Sequence, residues 1–293
     1  MRDCRVVLIT GDDLAHRYVA NALASSVPLA GIVVDHGKML SMVDRARQLW
    51  RRYTIAQLIS RASLFVVRQV LRDKPNGRRK LVEVFGWANC SEFLRPELLH
   101  HVQGINTNEG VSTVKGLQPD VLLVYGTGIV GQKILSLGRR MALNMHTGIS
   151  PHYRGCDCAF WPVHNEELHM LGATVHECTN RVDGGKIFGI AKASVQSGDC
   201  LFSIFARCVR AGSELYVRTV QELIASQSVG IAQDLSVGRE YRAFMRGVRA
   251  ELRTRRKVKA GLVRRYVEGL QNSTSNTSSS SISSPTAKRV QTI

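Results

Sequence analysis

Hydrophobic positions in the first half of the chain gather in short unbroken runs rather than in an alternating pattern. Each run is rich in Val, Ile or Leu and is bounded by polar or turn-forming residues. The runs cover residues 5–10, 29–34, 121–125 and 141–145. Runs of this length and composition are typical of strands that are covered on both faces, as in a parallel sheet.

Helical patterns separate these predicted strands. Ala15–Leu23 is the first, and either Asp12 or Asp13 can cap its free N–H groups. Strands that alternate with helices predict an α/β fold with a Rossmann-like, doubly wound, mostly parallel sheet. Ligands of such sheets bind beyond the carboxyl ends of the strands. Functional residues are therefore expected after Thr10, Tyr125 and Leu143.

Positive charge is concentrated in two segments of the chain. Residues 38–82 hold 12 Lys/Arg against 2 Asp/Glu, and residues 239–266 hold 11 against 2, whereas the whole chain has a net charge of +17. The remainder is thus close to neutral. We predict a body over residues 1–235, near-neutral outside the insertion at 38–82, that carries two basic appendages.

The first appendage, 38–82, is predicted to be a helical insertion. Apolar residues recur there at helical spacing, and we expect that face to pack on the body with the arginines solvated. Its apolar positions are Ile55, Leu58, Ile59, Ala62, Phe65 and Val66. Pro75-Asn76-Gly77 is expected to end the helix.

The second appendage, 236–270, is predicted to be a basic helical extension. Residues 271–293 are rich in serine and offer little apolar surface to bury, so we expect this tail to be disordered.

Composition narrows the function classes. The chain is 44% hydrophobic, which is enough for a core, but it has no apolar run of the roughly 20 residues that a membrane span needs. The run that ends at Thr10 is short for a signal peptide. Seven cysteines lack zinc-site or disulfide spacing. We therefore expect a cytoplasmic protein with no transmembrane segment and no metal.

A glycine-rich loop follows the third predicted strand. Gly126-Thr127-Gly128-Ile129-Val130-Gly131 matches the GxGxxG pattern of dinucleotide-binding loops. Such a loop needs an acidic residue at the end of the next strand, but Asn144 and His146 stand there instead. A loop that lets backbone approach a flat ligand is the better interpretation.

The strongest candidates for catalytic side chains lie at the end of the next strand and beyond it. Asn144 and His146 are two residues apart, so their side chains share a face of the strand. Asp183 precedes two glycines, where a tight turn can bring its carboxylate back to the imidazole. An amide, an imidazole and a carboxylate together suit acyl transfer to a nucleophile that the substrate supplies.

These residues resemble the signature of the formyltransferase family that uses 10-formyltetrahydrofolate. The motif is Asn-x-His, then Pro, then Arg-Gly, and later Asp-x-Gly. It is matched by Asn144, His146, Pro151, Arg154-Gly155 and Asp183-Gly184-Gly185. The family includes glycinamide ribonucleotide, methionyl-tRNA and nucleotide-sugar formyltransferases. The resemblance covers roughly residues 1–230 and implies a catalytic domain over 1–235.

The resemblance implies a role for each matched residue. Asn144 and His146 would stabilise the oxyanion as a substrate amine attacks the formyl carbon. Asp183 would keep His146 protonated and accept the proton of the amine. Two loops would hold the folate, a co-substrate that needs no metal. Their residues are Tyr125, Gly126, Thr127, Gly128, Ile129, Val130, Thr179, Asn180, Arg181 and Val182.

The acceptor is expected to be a small-molecule primary amine, phosphorylated or nucleotide-linked. Gly172-Ala173-Thr174-Val175-His176-Glu177 resembles the nucleotide-sugar members most, which favours an amino sugar. Methionyl-tRNA and glycinamide ribonucleotide stay as alternatives, although the segment after 236 does not resemble the β-barrel of methionyl-tRNA enzymes. Residues expected to contact the acceptor are Asp12, Asp13, Ser150 and Arg154.

A hypothesis of another class also remains. The two basic appendages are compatible with an inactive transferase fold that binds nucleic acid or an anionic membrane. For the enzyme we expect no stable nucleic-acid partner. The sequence leaves dimerisation open.

Overall fold

A seven-stranded sheet forms the centre of the protein in a computed structural model. The structure describes residues 4–38, 41–225 and 229–279, with the side chains of Arg45, Arg52 and 273–279 left out. Nine strands occur in these residues: β1 Val6–Thr10, β2 Leu29–Asp35, β3 Leu99–Val102, β4 Val121–Tyr125, β5 Met141–His146, β6 Tyr153–Gly155, β7 Gly172–Glu177, β8 Ile187–Lys192 and β9 Arg239–Tyr241.

The strand order in the sheet is β3-β2-β1-β4-β5-β7-β8. Neighbours from β3 to β5 are parallel, whereas β7 and β8 add an antiparallel hairpin beside β5. The order reverses between β1 and β4, which opens a crevice at their carboxyl ends. The predicted doubly wound, mostly parallel sheet is confirmed, and all four predicted strands are present.

Helices cover both faces of the sheet. Those in the described residues are α1 Leu14–Ala24, α2 Met42–Arg52, α3 Ile55–Val70, α4 Asp73–Phe85, α5 Asn108–Leu117, α6 Gln132–Leu135, α7 Trp161–His164, α8 Leu201–Ile224, α9 Val248–Lys259 and α10 Leu262–Ser279. Side chains of α1, α4 and α8 build the apolar core on one face, and α5 and α6 build a smaller core on the other.

The first basic segment is helical, as predicted, but its packing differs from the prediction. Ile55, Ile59, Phe65 and Val66 are exposed, whereas Leu64 on the other side of α3 is buried. The expectation that the apolar face packs on the body is therefore wrong for α3. The opposite face packs on the body through Leu64 and through Arg68, which pairs with Glu251.

Pro75 does not end the helical segment. α3 already ends at Val70, and Arg72 then adopts a left-handed backbone with φ of 53° before α4 begins at Asp73. Pro75 lies in the first turn of α4, where the missing N–H of proline costs no helical hydrogen bond.

The second basic segment begins as a strand. β9 pairs in parallel with β6, so the first residues of the predicted helical extension are extended instead. α9 and α10 follow and confirm helix over the rest. α10 continues to Ser279, into the segment that we expected to be disordered, while residues 280–293 lie outside the described residues.

The two basic segments meet at a buried carboxylate. Glu251 on α9 is fully buried and lies within ion-pair distance of three arginines. The distances are 3.3 Å to Arg68 Nη2, 2.8 Å to Arg246 Nε and 2.7 Å to Arg255 Nε. Arg68 comes from α3, so this cluster fastens the insertion to the C-terminal extension.

In the described ranges, no helix combines the length and apolar character that a membrane crossing requires. All seven cysteines fall within these ranges, and none of them forms a disulfide there.

Candidate active site

Four polar side chains line one face of the sheet where β5 meets β7. Leu143 and Met145 point into the core beneath α8, so the alternate residues Asn144 and His146 point to the opposite face. On β7 the register places His176 opposite Asn144 and Thr174 opposite His146. Strand alternation thus collects an amide, two imidazoles and a hydroxyl on one surface.

Asp183 reaches this surface from the loop between β7 and β8. Its Oδ2 lies 3.5 Å from His146 Nδ1, and its Oδ1 lies 3.3 Å from His176 Nε2. The backbone N–H of Gly155 donates to Oδ2 at 2.7 Å. Asn144 Nδ2 lies 3.2 Å from His176 Nε2. The three residues predicted to be catalytic therefore converge, with His176 between Asn144 and Asp183.

The turn at Asp183 is held from a distant part of the chain. Asp183 adopts a left-handed backbone with φ of 46°, and Gln233 Nε2 donates to its carbonyl oxygen at 2.9 Å. Sequence reasoning missed the contributions of His176 and Gln233. The alternation of Thr174 and His176, which repeats that of Asn144 and His146, was a usable signal for the imidazole. No local pattern marks Gln233.

The carboxylate of Asp183 is held in its ionised form. Burial raises the pKa of Asp183, but His146, His176 and the N–H of Gly155 outweigh burial and hold that pKa well below its ordinary range. A carboxylate of this kind is a strong hydrogen-bond acceptor and counter-charge but a weak base.

His146 differs from the expectation that its neighbour keeps it charged. Burial lowers the pKa of His146 below its ordinary 6.5, although the Asp183 carboxylate raises it. His176 lowers it further. The neutral imidazole is thus favoured at neutral pH, because loss of hydration outweighs the attraction of the carboxylate.

The surroundings of His146 nevertheless accommodate a second proton. Its Nδ1 faces Asp183, and its Nε2 lies 3.1 Å from the carbonyl oxygen of Tyr153. Both partners are acceptors, whereas a neutral imidazole carries only one N–H. His146 is therefore placed to take up a proton and to keep both nitrogens hydrogen-bonded.

Acidification is expected to destabilise the fold through His146. Because its pKa is lower in the folded chain, the unfolded chain binds more protons as pH falls through about 6.5, and the free energy of unfolding decreases. His146→Asn removes this contribution. Between about pH 7.5 and about pH 5.5, the melting temperature of the variant should fall less than that of the wild type.

Exposed His169 provides the control for this comparison. His169→Asn should melt with the pH dependence of the wild type. A His146→Asn profile as steep as the wild-type profile would contradict the assignment.

The glycine loop after β4 is anchored on both sides. Asn106 Nδ2 donates to the carbonyl of Ile129 at 2.7 Å, and its Oδ1 accepts from Gly131 N at 2.6 Å. Gly126 has φ of +68°, and a Cβ there would lie 2.0 Å from His16 Nε2. The loop therefore needs glycine at 126, and Asn106 is a further residue that the sequence did not mark.

The two loops expected to hold the folate expose apolar side chains. Ile129 is 79% exposed and Val182 is 44% exposed. Val130 and Cys178, at the bases of the two loops, pack on the same core cluster beneath α6. Tyr125 differs, because its side chain is buried in the core on the other face and only its backbone is available to a ligand.

Gly126→Ala should weaken the loop, since alanine is strained at this φ and its Cβ meets His16. We expect the free energy of unfolding in urea to fall by about 1–3 kcal/mol. Gly128→Ala is the matched control, because a Cβ at 128 meets no atom within 4 Å. Equal losses in the two variants would contradict the role given to Gly126.

Residues 55–220 match the profile of the family described as Formyl transferase. The match covers more than half of the chain. The chain belongs to the formyl transferase family. The resemblance inferred from the motifs at Asn144, His146 and Asp183 is thereby confirmed.

Relatives of this formyl transferase family member share modest identity with it. A methionyl-tRNA formyltransferase of Methylacidiphilum infernorum is 28% identical over 189 residues, which cover 62% of this chain and 54% of that protein. One from Thermotoga maritima is 27% identical over 157 residues, covering 52% of this chain and 48% of the relative. The chain spans about half the length of these curated relatives.

Solved structures share its fold. A 4-N formyltransferase from Francisella tularensis superposes with a TM-score of 0.52 at 13% identity, over 83% of this chain and 78% of that chain. A sugar N-formyltransferase from a Shewanella species gives a TM-score of 0.50 at 13% identity, over 82% and 77%. At such identities the likeness concerns the fold alone.

Two residues expected to contact the acceptor lie at the first turn of α1 in this formyl transferase fold. The Asp13 carboxylate accepts from the backbone N–H groups of Ala15 and His16 and caps α1. Asp12 binds Arg17 Nε at 2.7 Å. Both carboxylates border the crevice at the carboxyl end of β1, and acceptor contact stays a prediction for them.

The other two expected acceptor contacts are buried. Arg154 donates to the carbonyl oxygens of Pro151 and Leu235, at 3.1 and 3.2 Å. Ser150 is fully buried, and its backbone N–H donates to Thr174 Oγ1 at 3.0 Å. Their burial runs against direct contact with an acceptor. Both residues instead hold the loop that leaves β5.

Proposed function

We propose that this chain transfers a formyl group from 10-formyltetrahydrofolate to the primary amine of a small-molecule acceptor. One observation carries the proposal: the Asp183 carboxylate contacts the imidazoles of His146 and His176 on the face that also holds Asn144. Family membership supports the same reaction.

The loops at 126–130 and 179–182 are proposed to hold the folate. The exposed side chains of Ile129 and Val182 offer apolar surface to a flat ring, and the glycine backbone lets that ring approach closely. Bound there, the folate supplies an electrophilic formyl carbon on N10.

Asn144 and His146 are proposed to act on the reacting atoms. The Asn144 amide can donate to the negative charge that develops on the formyl oxygen. Neutral His146 can take the proton of the attacking amine, with Asp183 as counter-charge. As the bond to N10 breaks, His146 can return that proton to the departing nitrogen, so protons balance over the cycle.

This assignment changes the role first expected for Asp183. Because the pKa of Asp183 lies well below its ordinary range, the carboxylate is a poor proton acceptor at neutral pH. We propose that it orients His146 and stabilises the imidazolium, while the imidazole accepts the proton.

The proposed acceptor is an amino sugar that is phosphorylated or linked to a nucleotide. Asp12 and Asp13 border the crevice beside β1, and carboxylates there accept from hydroxyl or ammonium groups but repel a phosphate placed directly on them. The cysteine spacing of the sequence does not suit a disulfide framework, and we propose a cytoplasmic location.

The test is a panel of amines incubated with the full chain and 10-formyltetrahydrofolate. The panel includes nucleotide-linked amino sugars, glycinamide ribonucleotide and methionyl-tRNA. We expect mass spectrometry to show one formyl group added to an amino sugar. Exclusive modification of either of the other two would overturn the acceptor, and absence of both transfer and folate binding would overturn the reaction.

A further inference from the structure

Helix α3 carries an apolar stripe that the protein leaves uncovered. Ile55, Ile59, Val66 and Val70 follow one another at steps of four, seven and four residues, which places them on one face. They are 62%, 62%, 58% and 76% exposed. Leu64 lies on the opposite face, which is the side that packs on the body.

Helix α2, immediately before α3, is exposed as well. Met42 is 89% exposed and Trp50 is 64% exposed. The α2–α3 surface is defined here as the stripe of Ile55, Ile59, Val66 and Val70 together with Met42 and Trp50. A row of large exposed apolar side chains on one helix face, as on α3, marks an interaction site, whereas single exposed apolar residues are common.

The same segment is strongly basic on its outside. Exposed cations of residues 41–79 include Arg47, Arg51, Arg61, Arg72, Lys74, Arg78 and Arg79. The acidic residues of this range are Asp44 and Asp73. Asp44 is exposed, whereas Asp73 is mostly buried and paired with Arg255. Segment 41–79 therefore combines an exposed apolar stripe with a large excess of positive charge on its other exposed positions.

We propose that the α2–α3 surface docks on an anionic membrane. Helices that lie in a membrane interface combine an apolar face with Lys and Arg, and segment 41–79 as a whole offers both. The apolar stripe would enter the boundary between headgroups and acyl chains, and the arginines would bind lipid phosphates. Binding of this kind is peripheral and crosses no bilayer.

Charge argues against the other occupants of this surface. A second copy of the chain would bring two strongly basic surfaces together, and this repulsion opposes burial of the stripes. RNA offers phosphates but no partner for aliphatic side chains, and single-strand binders stack bases on aromatic rings. The stripe consists of Ile and Val and offers bases no ring on which to stack. An anionic bilayer provides both an apolar phase for the stripe and phosphates for the arginines.

The experiment is vesicle flotation with the full chain. One set of vesicles is phosphatidylcholine with about a third phosphatidylglycerol, and the other is phosphatidylcholine alone. We expect the chain to float with the anionic vesicles and not with the neutral ones. The double variant Ile59→Gln with Val66→Gln should lower the apparent affinity at least about tenfold.

Val229→Gln is the matched control, because Val229 is 85% exposed in the loop after α8, and that loop pairs with β8 through Ile231 and Ile187. It should bind like the wild type, and unchanged melting temperatures verify that the variants fold. Equal binding to both vesicle types, or full binding by the double variant, would overturn the proposal. So would stripe-dependent dimerisation in light scattering or stripe-dependent RNA binding without vesicle binding.

This result does not depend on formyl transfer. A chain that floats with vesicles but modifies no amine retains the membrane proposal and loses the proposed function. A chain that formylates an amine but does not float with vesicles retains the proposed function and loses the membrane proposal.

Discussion

Asp183→Asn should lower kcat at least about a thousandfold, provided that the amine panel identifies an acceptor. The substitution removes the negative charge beside His146 and His176. His146 then has no counter-charge when it takes the proton of the amine, and burial opposes the imidazolium. Because asparagine tolerates the left-handed backbone at 183, the turn should survive.

Two measurements separate chemistry from structure in this variant. Equilibrium binding of 10-formyltetrahydrofolate should change by less than about threefold, since the loops proposed to hold the folate are unchanged, while single-turnover transfer collapses. Asp44→Asn, exposed on α2, is the control and should keep wild-type turnover. Persistent turnover by Asp183→Asn would remove Asp183 from the mechanism.

Glu251→Ala should lower the free energy of unfolding by about 3–5 kcal/mol, because it leaves clustered arginines without their buried counter-charge. Burial raises the pKa of Glu251, but Arg246 and Arg255 outweigh burial and lower it, so the native carboxylate is ionised. Urea denaturation measures the loss. Limited proteolysis should also show earlier cleavage in α3, which loses its ion pair through Arg68.

Glu268 provides the comparison. It is exposed on α10 and lies 3.9 Å from Arg264, so Glu268→Ala should cost no more than about 1 kcal/mol. Similar losses for the two variants would show that the buried cluster does not fasten the basic segments.

The strands and the convergence of Asn144, His146 and Asp183 could be predicted because their signals are local. Unbroken apolar runs define β1, β2, β4 and β5, and the two-residue spacing of Asn144 and His146 fixes their shared face. The packing face of α3 could not be predicted in the same way. Periodicity identifies an apolar face, but what anchors this helix is Arg68 pairing with Glu251, 183 residues away along the chain.

The protonation state of His146 could not be predicted from the sequence either. The motif implies that a carboxylate neighbours His146, which by itself raises the pKa of the imidazole. The lowered pKa follows from burial and from His176, both of which are products of the fold. Gln233 is likewise unmarked by any motif, although its amide holds the carbonyl of Asp183.

Segment 233–241 supports the turn at Asp183 and the loop after β5, although it lies outside the stretch that matches the family profile. Gln233 holds Asp183, the Leu235 carbonyl accepts from Arg154, and the Tyr241 carbonyl accepts from the N–H of Cys156. A minimal fragment designed from the profile alone would stop at residue 220 and lose all three hydrogen bonds. Anyone who trims, permutes or grafts this enzyme fold should place the cut beyond β9.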